Sequence, residues 1–456
     1  MKLIYQPEDK PRFGQLIVLA IQQLLAIMAA TLVVPVIVGN GMSPAAALFG
    51  AGCGTLVYVM FTQRKSPVFL GSSFAFINSM FAAFAGGVSV GLGYLGLILG
   101  AIMAGLVYVV IACVVKAVGV GWINRLMPPV VIGPTVAIIG MSLAGNAISD
   151  AQAGEVYVDG VATASPLVCI LCAVVTLFVT VIASSYGKKT ARLIPFIIGI
   201  LAGYAVSAVF TVIGIAAGID SLKIIDFTYF SNLLVDGKVA LSTFVSVPNF
   251  TFLSAFGAFD ELSGQYIGTL AAAYVPVAFV VFAEHIADHK NISTIIEKDL
   301  LEDPGLARTL LGDGVGSMVG AFFGGCPNTT YGESVACVAI TGNASVSTIV
   351  AAAVGALLIA FLSPFVAIVD SIPPCVMGGI CIALYGFISV SGLKMIKNVD
   401  LEQNRNLFVV STIFICGIGG LTLTFGQVTI TSIATALILG IIMNAVLARS
   451  DKADEK

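Results

Sequence analysis

The sequence predicts an all-α polytopic membrane protein, with fourteen transmembrane segments in two inverted seven-helix repeats. Three observations predict it: a composition too apolar for a soluble chain, apolar runs of spanning length along the whole sequence, and an echo between the two halves.

Hydrophobic residues make up 58% of the 456 residues and charged residues only 10%. Mean hydropathy is +1.06. Soluble domains carry about 25% charged residues, so the chain is not to be divided into soluble domains. A net charge of −3 offers no basic surface for nucleic acid. The first fourteen residues are polar and show no small-residue cleavage site, so no removable signal peptide is expected. The nine cysteines are scattered through apolar stretches. Cys169 and Cys172 have Leu, Val, Ile and Ala around them, and read as small buried hydrophobes rather than a zinc site or a disulfide.

In order, the spanning segments are expected near residues 15–38, 44–62, 67–86, 93–115, 128–147, 166–184 and 193–217, and then near 268–290, 305–325, 327–341, 346–369, 373–391, 406–423 and 428–447. Segments 67–86 and 327–341 are short or interrupted by Pro and Gly. Residues 1–218 form the first repeat, 219–267 an extracytoplasmic connection and 268–456 the second repeat. With both termini in the cytoplasm, nineteen of the 21 Lys and Arg fall on the cytoplasmic side, and only Lys223 and Lys238 lie outside. That bias is the positive-inside pattern.

The echo is carried by two blocks in the same order. Pro128 to Gly133 and Pro373 to Gly378 share the pattern P-P-x-V-x-G, each opening an apolar helix. Upstream of each lies an interrupted segment, SPVFLGSSFAF from Ser66 and CPNTTYGES from Cys326. An odd number of helices per repeat sets the halves in opposite orientations, the plan of secondary transporters, whose paired broken segments mark the binding site. In each broken segment an extended stretch should reach a Gly (Gly71, Gly332), where a half-helix starts with free N–H groups facing a cavity.

Two carboxylates, Glu284 and Glu333, sit in otherwise membrane-buried sequence. A charge at the bilayer centre costs ~2.5–3.5 kcal/mol on insertion scales, so both point to a substrate or ion pathway. Half-helix N–H donors and carboxylate acceptors together satisfy a small heterocyclic amide and repel a simple anion. Asp288 follows Glu284 by four residues on the same helix face, as either a polar helix end or a second proton-relay acid. His285 and His289 are also four apart, but a third ligand is missing, and packing is expected of them rather than zinc. Asp313 reads as a fold-steadying group or a member of the ion path.

The run AEHIAD at 283–288, KDLLEDPGL after it and PNTTYGE at 327–333 resemble the uracil permeases of the nucleobase–ascorbate transporter family. GSSFAF at 71–76, TLVVP at 31–35 and the two PP blocks extend the likeness over the chain. The resemblance implies a core of segments 1–4 and 8–11 and a gate of segments 5–7 and 12–14. It also implies a homodimer through the gate, and proton-coupled nucleobase uptake. It places the base between Glu284 and Glu333, with backbone groups of Phe74 and Gly332 completing the polar contacts and Ala30, Tyr331 and Tyr385 as wall positions. Glu284 and Asp288 are the residues expected to carry the proton coupling. Three departures stand out. The family's Gln-His pair reads Gln22-Gln23, its Glu-Asn-x-Gly reads Glu333-SerValAla, and Asp288 stands where a uracil permease carries His. Purine-transporting relatives often have Asp there.

The expected function is proton-driven import of uracil or a related nucleobase across the plasma (inner) membrane, without a cofactor, a metal or catalysis. No GxxxxGK[ST] loop points to ATP. A purine permease is the alternative within the family, and an anion exchanger on the same architecture is the alternative outside it.

Overall fold

A computed structural model describes residues 3–119, 121–122, 127–158, 161–235, 237–425 and 428–454. Lys2, Arg125 and Lys456, three of the cations assigned to the cytoplasmic side, lie outside these residues. The chain is mostly helical. Among the described residues, eight helices are long and apolar enough to cross a membrane, and five shorter apolar helices accompany them.

The main helices run in order as α1 (Phe13–Val38), α2 (Pro44–Phe61), α3 (Ile77–Ala83), α4 (Val90–Val118), α5 (Pro129–Ser142), α6 (Pro166–Tyr186) and α7 (Pro195–Ala217). The second half gives α8 (Gly264–Ile296), α9 (Leu306–Gly324), α10 (Gly332–Thr341), α11 (Val346–Ile359), α12 (Pro374–Met395), α13 (Asn404–Ile418) and α14 (Ser432–Asp454). Local chemistry sets their starts. Ser43, Ser89 and Ser263 accept a backbone N–H at the heads of α2, α4 and α8. Pro129 and Pro374 occupy the first turns of α5 and α12, where a missing N–H costs nothing. The repeated P-P-x-V-x-G block therefore opens a helix the same way in each half.

Two short strands, β1 (Leu70–Ser72) and β2 (Asn328–Thr330), precede α3 and α10. They cross antiparallel, with Leu70 opposite Thr330 and Ser72 opposite Asn328. Their backbone groups thus satisfy one another inside the protein, as non-helical backbone at membrane depth requires. The ladder continues with Ser73 N–H donating to Pro327 O (2.9 Å) and Tyr331 N–H to Phe69 O (3.3 Å).

Helix packing falls into two sets. In one, α2 and α4 pack on α9, α1 and α2 on α11, α8 on α4 and α3, and α1 on α10. In the other, α5 packs on α12, α6 on α7 and α12, α13 on α5 and α14, and α5 also on α14. The connection between the halves lays a run of phenylalanines over the first set: Phe250 and Phe252 pack against Phe49, Phe322, Phe323 and Phe361. At the opposite end, Ile4 N–H bonds Gly342 O (2.7 Å) and Lys298 bonds Glu8 (2.6 Å). The neighbouring ammonium holds the Glu8 carboxyl below the usual carboxylate range.

Candidate functional site

A cavity of about 440 Å³ lies where the broken segments meet α8 and α12, within the size range of small-molecule sites. The acids on its wall are Glu284, Asp288 and Glu333, joined by Phe74, Thr329, Tyr331 and Gly332. On the α12 side the wall is Leu384, Phe387 and Ile388. The cavity continues to Arg192, Asn291 and Met395, and Arg192 and Asn291 are exposed.

Sequence reading placed seven residues around the base, and five of them line this cavity. Ala30 and Tyr385 do not reach its surface; both are buried. Tyr385 packs edge-on against Phe74, with ring centroids 6.2 Å apart, so it backs the wall instead of forming it. One residue along a helix is a turn of about 100°, and the neighbour Leu384 lines the cavity instead. The first half-helix also starts later than expected. A 3-10 turn begins at Phe74 and α3 follows, whereas Gly71 lies inside β1. Gly71 serves close approach: a Cβ there would overlap the Tyr331 ring. The second half-helix starts at Gly332, as expected. Its N-cap Tyr331 makes no side-chain cap bond, so that side chain does not cover the first turn of α10.

The supports of this arrangement are polar and specific. Tyr331 Oη donates to Ser72 O (2.6 Å), which fixes the ring over β1. Thr330 Oγ1 donates to Asp288 Oδ2 (2.9 Å), tying that acid to the foot of α10. Ser334 Oγ accepts from Gln23 Nε2 (2.6 Å) and from Phe69 N–H (2.9 Å). Two of the three departures from the family pattern, Gln23 and Ser334, therefore bond to each other, beside Glu333. Glu284 and Glu333 have no cationic partner among the described residues.

Sequence reading missed Thr329. It lines the cavity, is 2% exposed, and its hydroxyl has no partner among the described atoms. Antiparallel pairing with Gly71 puts it on the other strand face from Asn328, which bonds Gly50 O on α2 instead. Strand parity was the available signal, once a strand was suspected. The histidines are deeply buried and polar-bonded. His285 meets Asp313 (2.7 Å) and Thr309 (3.0 Å), and His289 meets Tyr58 (2.7 Å). Cys169 and Cys172 are buried, as is Cys375 on α12.

A buried polar cavity between two crossed half-helices, in a bundle of spanning helices, defines a membrane transporter. Solved structures with this fold include the transmembrane domain of a cyanobacterium bicarbonate transporter, BicA (TM-score 0.62, 15% identity, 96% of this chain and 100% of that chain). The murine anion transporter Slc26a9 in its inward-facing state is another (TM-score 0.61, 10% identity, 97% and 69%). The particular family follows from sequence. The model described as "Permease family" matches residues 14–426, and the chain belongs to that family of permeases, which are transporters and not enzymes. Its relatives include the uracil permease of Bacillus caldolyticus (36% identical, covering 100% of this chain and 97% of that protein) and that of Escherichia coli strain K12 (34%, 95% and 91%). The putative pyrimidine permease RutG of Escherichia coli K12 is 32% identical over 98% of this chain and 92% of that protein.

Proposed function

We propose that the chain imports a nucleobase, uracil first, by proton symport with alternating access. The carrying observation is the cavity itself, with two carboxylates that have no cationic partner among the described residues and the N-terminus of α10 on one wall. A pyrimidine dione has ring N–H groups for Glu333 and Glu284 and carbonyls for the α10 N–H groups and the Thr329 hydroxyl. Phe74 and Tyr331 supply aromatic wall. The names of the relatives agree with this substrate.

The larger architecture we propose is fourteen spans in two inverted repeats, residues 1–218 and 268–456, joined by 219–267. The packing supports it. Shifting every helix by seven turns α2 on α11 into α9 on α4, α1 on α11 into α8 on α4, and α6 on α12 into α13 on α5. The same packing supports a core of α1–α4 and α8–α11 beside a gate of α5–α7 and α12–α14. Apolar faces of α6, α7 and α13 (Leu167, Phe178, Leu201, Ile415) are exposed, which suits lipid or a second copy through the gate. With both termini in the cytoplasm, Arg192, Asn291 and Met395 mark the cytoplasmic mouth, and the cavity faces inward.

One observation favours a purine permease as second reading: the acid Asp288 lies on the cavity wall. An anion exchanger shares the fold, but three acids on one wall oppose an anion. Proteoliposomes with an inward proton gradient should accumulate labelled uracil without sodium, and unlabelled uracil should compete better than xanthine or ascorbate. Stronger competition by xanthine replaces uracil with a purine. Uptake that needs sodium and ignores a protonophore at fixed potential replaces the proton.

A further inference from the structure

Behind Glu284, on the side of α8 turned away from the cavity, lies a second polar group that the transport reading does not use. His285 and Asp313 are each 0% exposed. Their bond, His285 Nδ1 to Asp313 Oδ2 at 2.7 Å, joins α8 to α9. On the other edge of the ring, His285 Nε2 is 3.0 Å from Thr309 Oγ1. The Thr309 hydroxyl donates its only hydrogen to Leu306 O (3.0 Å), so its oxygen is an acceptor and the hydrogen in that contact belongs to Nε2. With Nε2 protonated, a ring without a second hydrogen would set the Nδ1 lone pair against a bare carboxylate at 2.7 Å. A second proton must therefore lie between Nδ1 and Oδ2, on one atom or the other. Either placement leaves the pair with no net charge, which is what complete burial demands.

We infer that Asp313 and His285 hold one proton in common and act as positioning residues for Glu284, the residue next to His285 on α8. The inference rests on the proton-symport reading for its functional half only. The groups facing the pair are Glu284, Asp288 and His289 on α8, Tyr58 on α2 and Tyr108 on α4. The His285 and His289 rings stack with centroids 4.0 Å apart. Tyr108 faces His285 edge-on at 6.4 Å, and its hydroxyl has no partner among the described atoms. A neutral, doubly bonded pair fixes the rotation of α8 and so the direction of the Glu284 carboxyl. It also adds no charge of its own as Glu284 gains and loses a proton in the cycle.

The chain has only two histidines, which makes the proton count measurable. In ¹⁵N-histidine-labelled protein reconstituted in bilayers, with signals assigned by His289→Gln, His285 Nε2 should be protonated from pH 6 to 8. A bare Nε2 would leave the ring's one hydrogen on Nδ1 against an ionised Asp313, a pair of net charge −1, and overturns the neutral pair whatever the transport assays give. For the functional half, Asp313→Asn and His285→Gln should each lower proton-driven accumulation at least tenfold and displace the pH profile of uracil binding, measured on folded protein. The double variant should be no worse than the worse single, because the two act as one unit. Asp313→Glu should recover part of the uptake. Folded Asp313→Asn protein with the wild-type pH profile and full accumulation overturns the positioning role. If wild-type uptake itself ignores the proton gradient, the symport reading fails, and the nitrogen spectrum still decides the shared proton.

Discussion

Glu333 stands in the first turn of α10, where the free N–H groups of a helix end favour negative charge. As an ionised acid it is an acceptor only, and an amide in its place presents donors as well. Glu333→Gln should therefore weaken uracil binding by ~1.5–3 kcal/mol, the range for a charge-assisted hydrogen bond, read by calorimetry on purified protein. Wild-type affinity in that variant removes Glu333 from the site. Thr329 gives a finer test, because Thr329→Val keeps the shape and deletes the hydroxyl. Its loss should cost ~1 kcal/mol of uracil binding, and Thr329→Ser should restore it; equal affinity of all three proteins excludes the contact. The acids were legible in the sequence because a charge in an apolar run is conspicuous. Thr329 was not, and for Asp313 and His285, which the sequence does single out, the bond between them was not, since these depend on which way a strand or helix face is turned and on partners far along the chain.

At the scale of elements, the crossing of β1 and β2 holds both half-helices in place. Two small details maintain it: the absence of a side chain at Gly71 under the Tyr331 ring, and the Gln23–Ser334 bond between α1 and α10. Gly71→Val should displace Tyr331, break its bond to Ser72 and lower thermal stability, with uracil binding lost in parallel. Gln23→Leu leaves the buried Ser334 hydroxyl with one donor fewer and should cost ~1–3 kcal/mol of stability. Unchanged melting of Gln23→Leu would show that the bond contributes nothing. The helices themselves were readable from apolar length and from the Pro-Pro starts of α5 and α12. The start of α3 was not, because Gly71 resembles a helix opener in sequence while its use is close packing. Tyr385 missed the cavity for a similar reason, since pattern alone does not fix helix rotation to within one residue.

Over the whole molecule, several helix contacts recur when each helix is exchanged for the one seven later or earlier, as the proposed repeat expects, and Glu284, Asp288 and Glu333 gather where both broken segments cross. In the proposed symport, coupling comes from the cost of carrying an unpaired charge through an apolar path. Glu284 crosses more readily when it is protonated, so proton loading on one side and release on the other link the gradient to the movement of core against gate. Glu284→Gln fixes the neutral form. The most direct measurement is uptake by this variant in proteoliposomes, comparing accumulation against a gradient with exchange of labelled for unlabelled uracil. The account predicts that proton-driven accumulation is lost while exchange persists. Undiminished uphill uptake by Glu284→Gln would contradict it.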